Sequence, residues 1–245
     1  MQSFGVSFRN GSNQFFDGYN FEHLLANVRA GLPLFFDWPE YTGEVLVPDY
    51  LQFEGHVAWV DTIRGFKMRG GVTYFQRFDS MATTSNILRF DTILGRNAGE
   101  FTRFGGLTWA GMKQSRKLGN FIRLYGGAEV ELLYSPSSTI NFVEYAYDVG
   151  DEEFLSVNEF QLEGKTKFNF FGSALLGLET VFFEHIGFLI EVKSGLGMQF
   201  IANEGSFGMA KNAYHLGVNY YLFDYKRKPL PKPILVPVEE AEDYE

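Results

Sequence analysis

The stretch from Phe188 to Phe200 is compatible with few folds. Phe188, Ile190, Val192, Leu196, Met198 and Phe200 fall on one parity, with Ser194 the polar exception. Leu189, Glu191, Lys193, Gly195, Gly197 and Gln199 fall on the other. Strict period-2 alternation over 13 residues marks a strand with one apolar and one polar face. Soluble strands run to about 5–6 residues, whereas a strand crossing a bilayer at a steep tilt needs roughly 9–11. The last strand repeats the pattern, with Tyr214, Leu216, Val218, Tyr220 and Leu222 against His215, Gly217, Asn219 and Tyr221, and Phe223 at its end. The period predicts an all-β chain, a transmembrane antiparallel up-and-down β-barrel.

The same alternation runs back through the chain. It predicts strands around Phe4–Phe8, Leu24–Leu34, Leu51–Trp59, Phe66–Tyr74, Leu88–Leu94, Ile122–Tyr134 and Phe168–Phe182. Phe101–Gln114 is β-like, but its parity does not show which face is apolar. Asn10-Gly11-Ser12-Asn13 reads as a break after the first strand, and 37–49, with two prolines and a glycine, reads as a loop. Thr139–Tyr147 and Phe154–Leu162 have strand character. They form either a hairpin within one long 135–166 connection or two more wall strands. The count is therefore ten, with twelve or eight as alternatives. An even number puts both termini on one side, the periplasmic side of an outer-membrane barrel, with short turns there and long loops outside. The outer loops expected are 10–21, 135–166 and 203–211.

Alternation alone also fits a soluble sandwich. The charge distribution separates the two. The apolar parity is almost free of charge, while the polar parity holds Arg29, Glu54, Lys67, Arg69, Arg123, Glu129, Glu131, Glu191 and Lys193, and Glu179 joins them. Isolated charges in a narrow interior are costly, so mixed signs imply a paired network that fills the lumen. Glycines on this parity (Gly31, Gly71, Gly127, Gly195, Gly197, Gly217) make room for long charged neighbours.

Composition narrows the function. Phe numbers 27 and Tyr 13, yet no run of 18 apolar residues occurs, which excludes transmembrane helices. Net charge of −9 argues against a nucleic-acid partner. Cysteine is absent, so there is neither a disulfide nor a thiol nucleophile. No metal-ligand spacing occurs, and no cofactor is expected. The four histidines are His23, His56, His185 and His215. His185 reads as a solvated turn residue, while His56 and His215 lie on the polar parity and could face the lumen. Nothing in the spacing supplies either with a nucleophile, so no catalytic residue is assigned. No charged-then-apolar leader is visible, as expected of a processed exported chain.

Three stretches, Phe121–Tyr134, Leu176–Val192 and Leu216–Phe223, carry a family resemblance. Over the last 120 residues or so the chain resembles the opacity or OmpA-like family of outer-membrane barrels. The resemblance implies an outer-membrane location and assembly by an insertion machine that reads the last strand, Tyr214 to Phe223. It does not carry a function. The chain departs from the family by about two extra strands at the front and by continuing past the terminal Phe.

That continuation, 224–245, is separate from the barrel of 1–223. It opens with Lys226-Arg227-Lys228 and ends acidic. In between, Pro229, Pro231, Pro233, Ile234, Leu235, Val236 and Pro237 favour an extended, polyproline-like segment. Such a segment is either a solvated tail or a periplasmic peptide that docks on a protein partner. The expectation is a non-enzymatic barrel in outer-membrane lipid. It would anchor an envelope assembly through its outer loops and tail. A narrow solute channel and a lipid- or peptide-modifying enzyme are the alternatives.

Overall fold

A computed structural model describes residues 2–16, 43–45, 49–61, 64–87, 92–118, 122–182 and 185–222. It contains eleven strands: β1 (Gln2–Phe15), β2 (Gly43–Val45), β3 (Asp49–Asp61), β4 (Phe66–Ile87), β5 (Thr92–Leu118), β6 (Ile122–Ser135), β7 (Ser138–Asp148), β8 (Glu153–Gly164), β9 (Lys167–Phe182), β10 (Ile186–Ile201) and β11 (Gly205–Tyr221). Eight of them pair antiparallel in the order β1-β3-β4-β5-β6-β9-β10-β11, and β11 pairs with β1, closing a ring. Following the register from Asn13 through Lys211, Gly195, Ser173, Glu129, Ala110, Arg69 and Ala58 returns to β1 at Ser3. The shear is thus ten residues (13 − 3) on eight strands. With ~3.3 Å per residue and ~4.8 Å between strands, this corresponds to a tilt of about 40°.

Eight ring strands replace the ten expected. The strand expected over Leu24–Leu34 lies outside the described residues, as do 88–91. Leu88–Leu94 and Phe101–Gln114 were expected as two strands, but 92–118 is one, β5. The 138–164 hairpin is not part of the wall. β7 pairs with the outer part of β5, β8 pairs with β7, and β6 pairs directly with β9. Two expected loops are strand instead. β1 runs through Asn10–Asn13 to Phe15, and β11 begins at Gly205. In both cases the ladder continues through polar sequence because neighbouring strands hold it, Asn13↔Lys211 and Ser12↔Asn212 among the pairs. The expected loop 37–49 contains the short β2, which pairs with the outer part of β4.

Parity sorts the side chains as the alternation requires. On β10, Phe188, Ile190, Val192, Leu196, Met198 and Phe200 point outward and are exposed, while Leu189, Glu191, Lys193 and Gln199 are buried inside. Outward apolar residues continue around the ring, including Phe4 and Val6 on β1, Val57 and Trp59 on β3, Val72 on β4, Trp109 on β5 and Leu176 on β9. Phe188 to Phe200 covers a height of about 30 Å at this tilt. The described chain begins and ends at the same end of the ring, where Ser3 sits opposite Tyr221. The links from β3 to β4, β5 to β6 and β9 to β10 at that end are short. The opposite end carries the long links and the overhanging parts of β4 and β5, which pair with each other out to Ile87 and Thr92.

Candidate functional site: the lumen

β4 shows how the interior is layered. Its inward residues are, in order, Lys67, Arg69, Gly71, Thr73, Phe75, Arg77 and Asp79. Each marks a level of the lumen, from the short-turn end to the other.

At the first level Lys67 Nζ donates to Glu179 Oε1 at 3.2 Å. Asn219 Nδ2 donates to the same oxygen at 2.8 Å, and Tyr221 Oη also donates to it. Arg123 stands directly across the ladder from Glu179. Val60, Val181 and Tyr221 close this end with a small apolar cluster.

The middle level holds four cations and four anions: Arg9, Arg69, Lys193 and Lys211 against Glu54, Glu129, Glu131 and Glu191. Arg9 is its hub. Its Nη1 donates to Glu129 Oε1 at 2.7 Å and to Glu131 Oε1 at 3.3 Å, and its Nη2 donates to Glu129 Oε2 at 3.1 Å and to Glu54. Arg69 grips Glu191 with both terminal nitrogens, at 2.8 and 3.0 Å, and donates to Glu129 at 3.0 Å. Lys193 donates to Glu129 at 2.7 Å and stands 3.3 Å from Glu191. Tyr125 Oη and His215 Nδ1 also donate to Glu191, the former at 2.8 Å. His56 lies 2.7 Å from Asn219 Oδ1 and 3.4 Å from Glu54. Equal numbers of opposite charges and multiple hydrogen bonds are what make so many buried ions tolerable. Glycine accommodates the long side chains. A Cβ at Gly71 would stand 2.9 Å from Glu54 Cγ, and one at Gly177 would stand 2.5 Å from the Tyr125 ring.

Above the charges lies an aromatic layer, with Tyr50, Phe75, Phe104, Leu133 and Phe171 all at most 2% exposed. Lys211 bridges the two layers. Its ammonium lies 4.9, 5.3 and 5.0 Å from the ring centres of Tyr50, Phe75 and Phe171 and donates to Glu131 below. The ring quadrupoles favour the cation there. Beyond it, Arg77 lies over the rings of Phe15 and Phe104 at 5.7 and 5.8 Å and donates through Nε to Asp79 at 2.8 Å. Lys167 and Ser138 donate to Glu100 at this level. The side chains of Asn13, Asn169 and Gln199 are fully buried here, and among the described residues their amide atoms make no hydrogen bond.

Nine of the ten charged residues expected inside are buried and inward-facing. Glu54, Arg69, Glu129, Glu131, Glu191 and Lys193 meet in the middle level, while Lys67, Arg123 and Glu179 form the group at the end. Arg29 lies outside the described residues. Sequence reasoning missed Arg9 and Lys211. Arg9 shares the parity of Gly5 and Ser7, a usable signal. Lys211 was masked by placing the strand start at Tyr214. His56 and His215 both face inward. His185 is half-buried rather than freely solvated, with Nδ1 3.0 Å from the Tyr221 carbonyl and its ring stacked on Tyr220. Tyr214, Leu216, Val218 and Tyr220 point outward on β11, and Leu222, just past its end, is exposed too. Phe223, His23 and the 224–245 segment lie outside the described residues. Among the described residues, no group of three or more His, Cys, Asp or Glu is disposed to hold a metal ion.

No family model matches the chain, and no curated protein does. Among solved structures it is similar to the attachment invasion locus protein Ail of Yersinia pestis, in complex with the heparin analogue sucrose octasulfate. The identity is 9%, over 89% of this chain and 96% of that one, with a TM-score of 0.26. A second structure of Ail gives 10% identity, the same coverage and a TM-score of 0.26. The beta domain of the Bordetella autotransporter BrkA gives 9% identity over 89% and 98%, with a TM-score of 0.28. At such values, the functional reading rests on the chain's own geometry.

Proposed function

We propose that this chain is a bacterial outer-membrane barrel without catalytic activity, which anchors partner-binding segments instead of conducting solute. One observation carries the reading: the usual distribution of side chains is inverted. Apolar residues cover the outside, and ion pairs fill the inside. Outward Leu176, Val72, Val6 and Tyr214 are each at least 67% exposed, whereas Arg9 and Glu191 are 0% exposed. An exposed apolar surface this continuous is unsuited to water. It matches an apolar band of about 25 Å flanked by aromatic residues. The filled lumen disfavours a pore. On this reading the hairpin of β7 and β8 and the 224–245 tail are partner-binding segments on opposite sides of the membrane, the tail on the periplasmic side. The last strand, Tyr214 to Phe223, serves as the signal for insertion.

The sequence has no cysteine, which gives a clean test. A single Asp151→Cys variant in intact cells should react with a membrane-impermeant maleimide, and a Cys introduced at Lys228 should react only after the outer membrane is opened. The reverse pattern would overturn the orientation, and equal labelling of both would overturn the membrane reading. Purification in mild detergent with and without 225–245 tests the anchoring role. Recovery of identical partners from both forms would remove the tail from it.

A further inference from the structure

The apolar outer wall is interrupted where the chain closes on itself. Ser194 lies midway along the outward face of β10, six residues from Phe188 and six from Phe200. It pairs in register with Asn212 on β11, and Asn212 pairs with Ser12 on β1. Asn10, two residues before Ser12, stands opposite Tyr214. Ser194, Asn212 and Asn10 are exposed and Ser12 is half-buried, on the outward parity of their strands.

The register fixes their depth. Each step of ~4.8 Å from β10 to β11 to β1, at a strand tilt of about 40°, rises by about 3 Å toward the long-link end. Asn212 is then about 3 Å above Ser194, Ser12 about 6 Å above it, and Asn10, two residues back down β1, about 1 Å above it. An apolar band about 25 Å tall extends about 12 Å to either side of its middle, so all four lie well inside it. At comparable heights the wall elsewhere presents Phe53 on β3, Val72 on β4, Leu107 on β5 and Val130 on β6, all exposed.

Hydrocarbon offers a hydroxyl or an amide no hydrogen-bond partner, and polar side chains at such depth face protein or water rather than lipid. Serine and asparagine each donate and accept, and none of the four residues is charged, so the patch is complementary to itself. Two copies inserted in the same sense are related by an axis along the bilayer normal, which keeps each residue at one depth in both. A second copy therefore brings its own Ser and Asn to the height at which they are needed, whereas another protein would have to place polar groups there independently. Ala174, in register with Ser194, allows close approach on one flank.

We infer that the outer face of β10, β11 and β1 is a contact between two copies of this chain, joined within the apolar band by hydrogen bonds among Ser194, Asn212, Asn10 and Ser12. The inference rests on the proposed membrane reading and adds a partner in the plane of the bilayer.

The test uses the full chain in the outer membrane, where the absence of cysteine again makes single variants clean. Ser194→Cys, Asn212→Cys and Asn10→Cys are oxidised separately, with Leu107→Cys on β5, across the ring from β11, as the comparison. A disulfide needs Cα atoms within about 7 Å, so at least one of the three should give a covalent dimer in at least tenfold the yield from Leu107→Cys. A smaller excess for all three overturns the inference, as does a product formed only with a different protein. Ser194→Leu with Asn212→Leu gives a second reading. Energy transfer between labelled copies in phospholipid vesicles should show dimerisation weakened at least tenfold, with the barrel's circular dichroism unchanged. No transfer in the parent, or less weakening than this, also overturns it. Failure here is separable from failure of the functional reading. Outside labelling of Asp151→Cys with a monomeric chain removes the contact and keeps the membrane barrel. Equal labelling of Asp151→Cys and Lys228→Cys removes the membrane, and with it the reason for the contact.

Discussion

Arg9 on β1 and Glu129 on β6 meet face to face across the full width of the barrel. Their strands are four places apart in a ring of eight, hence on opposite walls, and the guanidinium grips both carboxylate oxygens at 2.7 and 3.1 Å. The contact acts as a crossbeam, and Glu54 and Glu131 lean on the same guanidinium.

Removing that cation should therefore be far more damaging than removing a surface charge. Arg9→Met leaves three carboxylates short of a partner, and the expected loss is about 3–5 kcal/mol. Arg9→Lys, which cannot grip two oxygens in a plane, should recover only part of it. The unfolding midpoint in urea, read by gel mobility in detergent, measures both.

The same crossbeam, under an aromatic layer, predicts a barrel that does not conduct. Purified protein in a planar bilayer should be electrically silent at neutral pH. Steady current that changes with charge reversal at Glu129 or Arg123 would restore the channel alternative.

The level of Asn13, Asn169 and Gln199 should behave in the opposite sense to the ion pairs. Their buried amides lack partners among the described residues, and an unsatisfied buried polar group costs about 1–3 kcal/mol. Asn169→Leu and Gln199→Met should each raise stability by about 1 kcal/mol. A drop in the urea midpoint would mean that these amides have partners in solution.

On the outer wall, Leu176 is 72% exposed near mid-height. Leu176→Arg should cost about 2–4 kcal/mol in a lipid bilayer, whereas Glu159→Arg on the hairpin should leave barrel stability within about 0.5 kcal/mol of the parent. Refolding into phospholipid vesicles and titrating with denaturant compares them. Equal effects would argue that the wall does not face lipid.

The sequence made the wall legible where inside and outside differ in polarity. β10 and the second half of β11 alternate because the outward residues are apolar, Ser194 excepted, and most inward ones are polar or Gly. β5 resisted because its interior carries Phe104, Ala110 and Met112 while its exterior carries Arg103, Gly105 and Gly111, so the contrast vanishes. Strand ends failed for a related reason. Around Asn10–Asn13 the outward Asn10 and Ser12 are polar too, and over 205–211 the outward residues are only Ser206, Gly208 and Ala210, so the sequence resembles a loop although the ladder continues. Most of the charge network was visible from parity. Its hub was not, because nothing on the first strand by itself shows that one arginine will reach three others' carboxylates from strands 45 to 122 residues away.

The closing pair, β1 with β11, joins Ser3 to Tyr221, and this sets an order of events during assembly. Every other ring neighbour is separated by a shorter stretch of chain, so those hairpins can form while the remainder is still arriving. The last seam waits for the whole polypeptide. Arg9 comes from the first strand and Lys211 and His215 from the last, so the ionic interior is completed only at that moment. A chain that stalls short of Gly205 is left with two bare edges and lacks the Lys211 that pairs with Glu131 and the His215 that pairs with Glu191. Such an intermediate gives a chaperone or protease a definite feature by which to tell unfinished molecules from finished ones.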